Sequence, residues 1–287
     1  MLTDASFIRR LDSLYLLARR VLNGSLQADR KSTKKGTGIT FADYAEYHLG
    51  ADYRSIDWRV FARFESLVVK LFEVEEDATI YILLDQSRSM QSKFLYARQL
   101  AAGLGYIGLN CLDRLAVYGM GVELTPILEP CRGRGSVMPL LQGLEDTETI
   151  AGDTKFNSCS RLFQARHQRK SVVIVISDFL YPGGFDDGLN YLSWHKHDVY
   201  CLQVLNEDDT RCHLKGDIEL ECVETGQHRR VTISPREAAL YEKAVAELNQ
   251  KLVAACARRR IGLASTTPEV SFDHVIQDIL RRGGLVA

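Results

Sequence analysis

No stretch of this 287-residue chain is apolar for long enough to span a bilayer. Its first residues, Met1-Leu2-Thr3-Asp4-Ala5-Ser6, also lack the basic start and apolar core of a secretory leader. None of the seven cysteines stands in a Cys-x-x-Cys pair, and the odd number argues against a closed disulfide framework. Together these absences set the expectation of a cytoplasmic protein in a reducing compartment. Charge of neither sign prevails. The 36 basic and 37 acidic residues leave a formal net charge of −1, so nothing draws the chain generally to nucleic acid or an anionic membrane. The chain has no Gly-x-x-x-x-Gly-Lys-Ser/Thr loop, which excludes ATP hydrolysis of the P-loop kind. Gly133-Arg134-Gly135-Ser136-Val137 lacks the last glycine of a nucleophile elbow. There is no internal repeat and no low-complexity tract.

What is present is an alternation of short apolar runs and helical patterns. Ile80-Tyr81-Ile82-Leu83-Leu84 reads as a buried parallel strand bounded by Glu75, Glu76 and Asp77, and a helix is expected from about Ser92 to Asn110. Between them lies Asp85-Gln86-Ser87-Arg88-Ser89. Ligands of open α/β sheets gather at the carboxyl ends of such strands. There a tight turn can aim one carboxylate and two hydroxyls at a single point. Hard oxygen donors of this kind suit magnesium, manganese or calcium. The plainer alternative is that Asp85 ends a strand and Ser87 or Ser89 caps a helix. A second buried run, Ser171 to Ser177, also ends in a carboxylate, Asp178. Gly152-Asp153-Thr154 stands before a helical stretch that runs to about His167.

Together these elements resemble a von Willebrand factor A domain and its metal-ion-dependent adhesion site. The resemblance implies a Mg2+ or Mn2+ ion held by Asp85, Ser87, Ser89, Thr154 and Asp178, some directly and others through water. Relatives often carry Gly-Gly-Thr-Asp at the third element, where this chain has Gly152-Asp153-Thr154-Lys155. Upstream, Tyr47 to Trp58, then Ala62-Arg63 and Val69-Lys70-Leu71-Phe72-Glu73, resemble the signature of the domain-of-unknown-function 58 (DUF58) family. Ala51 departs from it where an Asp is usual, and Phe61 where a small residue is common. Within the signature, Asp52, Arg54, Asp57 and Arg63 are able to form charge-assisted pairs that fasten the segment.

The fold expected is α/β: a doubly wound, mostly parallel sheet, von Willebrand factor A-like and Rossmann-type in layout. Residues 1–75 would supply an N-terminal helix (Phe7 to Val21), a basic loop (Asn23 to Gly38) and the signature segment packed on the core. Residues 76–287 would form the main domain, with a β-hairpin near 218–233 and a long helix opened by Pro235. Gly103-Leu104-Gly105-Tyr106-Ile107-Gly108 spells a dinucleotide fingerprint but lies inside a helical stretch, so close packing explains it better. His195 and His197, beside Lys196, suit a solvated helix end. Arg132 and Arg134 stand in a glycine-flanked loop that is an ordinary surface or a contact for an acidic partner.

Two functions follow. The first is a binding module whose metal keeps one position open for a partner's Glu or Asp. Family resemblance implies that partner to be a MoxR-type AAA+ ATPase, with this chain its adaptor in chaperone or maturation work. The alternative is a metal-assisted hydrolase using the same ion, for which Asp153 is the nearest added carboxylate.

Overall fold

The computed structural model describes residues 1–29, 40–48, 53–73, 79–111, 113–150, 154–181, 183–194, 197–221 and 228–281. The chain falls into two compact units, Leu22–Asp77 and a larger one built from Met1–Val21 with Ala78–Ala287. Residues 1–21 join the sheet unit because their apolar stripe is buried there: Phe7, Leu11 and Leu14 are buried, and the Phe7 ring lies tilted 5.3 Å from that of Phe272.

The first helix, α1 (Ala5–Asp29), runs past the loop expected from Asn23. An interior glycine such as Gly24 costs a helix about 1 kcal/mol against alanine, too little to end it here. The rest of the expected basic loop, residues 30–39, lies outside the described residues.

In the smaller unit, β1 (Thr40–Glu46) pairs antiparallel with β2 (Val68–Glu73), and α2 (Trp58–Phe64) lies between them in sequence. Asp57 starts α2 by accepting the Arg59 amide at 2.9 Å, and its other oxygen takes the Tyr44 hydroxyl at 3.0 Å. Asp57 is thus a buried cap, the kind of side chain that satisfies a helix's orphan amides. Arg54 and Arg63 are exposed, and Asp52 lies outside the described residues.

The larger unit is built on β3 (Thr79–Asp85), α3 (Phe94–Asn110), β4 (Arg114–Met120), β5 (Leu124–Arg132), α4 (Val137–Glu145), α5 (Phe156–Arg166), β6 (Val172–Ser177), α6 (Asp186–Ser193) and β7 (Asp198–Val204). It continues with α7 (Glu207–Thr210), β8 (Gly216–Glu221), β9 (His228–Ile233), α8 (Pro235–Arg259), β10 (Gly262–Thr266) and α9 (Phe272–Arg281). Six strands form one sheet in the order β10-β7-β6-β3-β4-β5. All neighbours are parallel except β5, which returns antiparallel to β4. α3, α4 and α9 pack together, as do α5, α6 and α8. The α/β doubly wound expectation holds, and so does the hairpin, with β8 antiparallel to β9 around a turn outside the described residues. Ser234 caps α8 with Pro235 at its first position.

The glycines of α3 are packing glycines. A methyl group at Gly103, Gly105 or Gly108 would press within 2.5 to 2.8 Å of Ile276, Leu140 or Ile80. His197 departs from expectation: it is buried, 5.9 Å from Phe163, while His195 and Lys196 lie outside the described residues. Among the described residues no helix is long and apolar enough to cross a membrane.

Topology places one feature. The chain winds outward from β3 through β4 in one direction and through β6 and β7 in the other. The crevice beyond the carboxyl ends of β3 and β6 is therefore the switch point where open sheets take ligands.

Candidate functional site at the strand ends

Asp85 is the last residue of β3 and is fully buried. Its Oδ1 accepts the Ser87 amide at 2.9 Å and the Thr154 hydroxyl at 3.0 Å. Its Oδ2 accepts the Ser177 hydroxyl at 2.7 Å and lies 2.8 Å from the Tyr181 hydroxyl, whose proton is shared with Ser177 Oγ at 2.7 Å. A carboxylate offers about four lone-pair positions, and here protein donors meet all four. Burial, and then the nearby charge of Asp178, push the Asp85 carboxyl above the ordinary range; the bonds from Ser177, Ser87 and Tyr181 pull against that.

The neighbouring backbone explains how these groups converge. Gln86, between Asp85 and Ser87, donates its side-chain amide to Glu148 O at 3.2 Å. Its carbonyl accepts the Ile150 amide at 2.7 Å. These bonds bring the chain leading to Thr154 alongside the end of β3. After the site, the Lys155 amide bonds Gly121 O at 3.0 Å, fixing the start of α5 against the β4–β5 turn. At the end of β6, Phe179 holds a left-handed backbone (φ 58°) while buried, a strained state for a bulky residue. That turn lets its amide reach Ser177 Oγ at 2.8 Å and the Leu180 amide reach Asp178 Oδ1 at 3.0 Å. Phe179 meets Phe156 and Tyr181 edge-on at 6.0 and 6.1 Å, and those two rings stack on each other at 5.0 Å.

Asp178 has a partner that sequence reasoning missed. Lys93, just before α3, is fully buried, and its Nζ lies 3.0 Å from Asp178 Oδ2 and 2.7 Å from Asp209 Oδ2. Asp209 also accepts the Asn206 amide at 2.7 Å, and Asn206 Nδ2 donates to Ser92 Oγ at 2.7 Å. The Asp178 carbonyl accepts from Gln203 at 3.2 Å, and Gln203 in turn bonds Asn249 and Ser265. A lysine opening an apolar helix reads as a solvated terminus, so no pattern in the sequence marks it. Tyr181 was likewise invisible, four positions beyond a strand end. Ser177 carries a weak signal, standing beside Asp178.

Of the five expected metal ligands, the fold brings Asp85, Ser87, Ser89 and Thr154 together, with Asp178 on the next strand. Whether they suit a hard divalent ion turns on which oxygens are committed. Ser87 Oγ and Ser89 Oγ lie 2.9 Å apart. Neighbouring ligands of an octahedral magnesium ion, at Mg–O of about 2.1 Å, lie about 3 Å apart. The two hydroxyls therefore match one edge of such a shell, and the Thr154 hydroxyl shares Asp85 Oδ1 with the Ser87 amide. Asp178 fits less well, since Lys93 already neutralises its carboxylate. Gly152 and Asp153 lie outside the described residues, and Lys155 is exposed. Among the described residues no group of three or more His, Cys, Asp and Glu side chains is arranged as a metal cage. An ion here would depend on hydroxyls with a carboxylate behind them.

The family model described as "Protein of unknown function DUF58" matches residues 43–251. The uncharacterized proteins Rv1480 of Mycobacterium tuberculosis and Mb1516 of Mycobacterium bovis are each 24% identical over 242 residues, covering 81% of this chain and 75% of theirs. Among solved structures, the conserved hypothetical protein BatB from Bacteroides thetaiotaomicron is similar at a TM-score of 0.43 and 15% identity, over 71% of this chain and 98% of that one. A von Willebrand factor type A protein from Catenulispora acidiphila is similar at 0.44 and 10% identity, over 76% and 44% respectively.

Proposed function

This chain belongs to the DUF58 family of proteins of unknown function, and from that premise we propose that it is a protein-docking module whose docking point is the carboxyl end of β3. The observation that carries the reading is the Ser87–Ser89 hydroxyl pair, set at 2.9 Å over a buried, fully hydrogen-bonded Asp85. Ser87, Ser89 and Thr154 would hold a Mg2+ or Mn2+ ion, with Asp85 supplying negative charge behind them. When bound, the ion would offer a Lewis-acidic position to an acidic side chain of the partner. Asp178 is left out of the set because its carboxylate carries Lys93.

The protein's own residues do the rest. Asp85 orients the Thr154 hydroxyl and the Ser87 amide, and Gln86 pins the adjoining loop. A prearranged polar site of this kind costs little ordering on association. The partner in this reading is a MoxR-type AAA+ ATPase, and the chain acts as its adaptor in chaperone or maturation work. That choice rests on the family resemblance of the Tyr47-to-Trp58 signature. The hydrolase alternative has no observation in its favour, since Asp153 lies outside the described residues.

Calorimetric titration of Mg2+ and Mn2+ into the protein and into a Ser87→Ala/Ser89→Ala variant tests the ion. Binding in the first and its loss in the second is the expected result. Equal binding in both, or none in either, would overturn the metal part. Pull-down of a purified MoxR-type ATPase, with and without chelator, tests the partner. No capture overturns the adaptor role, and capture indifferent to chelator moves the docking point off the ion.

A further inference from the structure

We propose that Lys93 is a permanent internal cation that keeps this docking face formed without a divalent ion. The proposal concerns how the face is ordered and rests on the docking reading only for the word docking.

The argument starts from burial. An ammonium with 0% exposed side chain is not held in a protein interior unless its charge is met by geometry as good as water's. Here it is met twice, at 3.0 Å by Asp178, itself 2% exposed, and at 2.7 Å by Asp209, 21% exposed. Asp178 follows the end of β6, and Asp209 lies in α7 beyond β7, so one side chain ties two strand-end loops to the segment that opens α3. Each carboxylate also orders its own loop: Asp178 takes the Leu180 amide and Asp209 the Asn206 amide. The Tyr241 hydroxyl closes the outer side on the Asp209 carbonyl at 3.0 Å. Removing the ammonium would leave two carboxylates facing one another across the space it filled, with Asp85 as a third negative charge nearby. A divalent ion is then the natural replacement, since it suits carboxylate oxygens and carries the missing charge. With Lys93 present that demand is already answered, so these loops have no need of the ion.

The test is hydrogen exchange of residues 178–181 and 205–211, with a melting curve, in chelator and in millimolar Mg2+, run throughout in the Ser87→Ala/Ser89→Ala background so that the proposed ion site is absent. With Lys93 present, exchange in these segments is expected to be the same in both. Lys93→Met, nearly isosteric and uncharged, is expected to exchange at least about tenfold faster in chelator, to melt on the order of 10 °C lower, and to recover in Mg2+. A lysine that merely filled space would confer no such response to the ion when removed. Lys93→Met/Asp178→Asn, which removes the ammonium and its fully buried partner and leaves only the part-exposed Asp209, is expected to fold and to ignore Mg2+ in these segments. Mg2+-dependent ordering while Lys93 is present in that background would overturn the proposal, as would slow exchange of Lys93→Met in chelator. Should Lys93→Met fail to accumulate, the double variant decides: folding supports the electrostatic role, and failure to fold overturns it. No partner enters the experiment, so its outcome is independent of the docking reading.

Discussion

Two aspartates stand side by side at the ends of β3 and β6, and the protein treats them in opposite ways. Asp85 is surrounded by neutral donors: one amide and the hydroxyls of Thr154, Ser177 and Tyr181. Asp178 is met by a backbone amide and a buried ammonium. Neutral donors satisfy a carboxylate's lone pairs but leave its charge standing, whereas a lysine cancels the charge as well. In the proposed reading a cation is drawn to the β3 half, because on the β6 half the lysine already meets the charge. An arrangement that looks symmetric in its motif, one strand-end Asp on each side, is electrostatically polarised.

The comparison breaks most severely on the β3 side. Asp85→Ala strands four inward-facing donors at once, at a cost of about 1–3 kcal/mol for each that finds no substitute. We expect a loss of about 4 kcal/mol or more, read as a fall in the urea midpoint at unchanged slope. On the β6 side, Asp178→Asn leaves Lys93 with Asp209 alone. The expected loss is smaller, about 3 kcal/mol, because a half-met buried charge is less costly than an unmet one. Equal losses would mean that the two carboxylates play the same part. Tyr181→Phe is gentler still: it removes one of four bonds to Asp85 while Ser177 continues to donate, so about 1 kcal/mol is expected.

The difference between the halves also divides what could be read from the sequence. Asp85, Ser87 and Ser89 lie within five residues at a strand end, so their convergence is a local matter of turn geometry. The alternation of apolar runs and helical patterns is likewise local, and the central parallel sheet with its helices follows from it. Lys93 meets Asp178 across 85 positions and Asp209 across 116, and no periodicity connects them. The same holds for Tyr181, 96 positions from Asp85. His197 misled for a related reason. Its neighbours in sequence are polar, but the β7 start carries it inward against Phe163. Long-range polar pairing was the illegible part.

The smallest expected effect lies away from both aspartates and serves as their control on the pH axis. His167 packs against Tyr81 at 4.4 Å, Phe163 at 4.8 Å and Tyr118 at 5.5 Å. Its Nε2 is buried without a hydrogen-bond partner among the described residues. Burial, then Arg166 and His197, hold the imidazole below its ordinary pKa of 6.5. The sign follows from proton uptake. Between the folded pKa and 6.5 the unfolded chain binds more protons than the folded one, so stability falls as pH drops through that window and is whole above it. The loss should stay well under that of Tyr181→Phe, because the residue is only partly buried and water screens its charge. Urea midpoints at pH 7.5 and 5.5 measure it, and His167→Gln should flatten the difference. If the slope survives that substitution unchanged, the acid-side loss comes from another group, and the strand-end carboxylates become the first place to look.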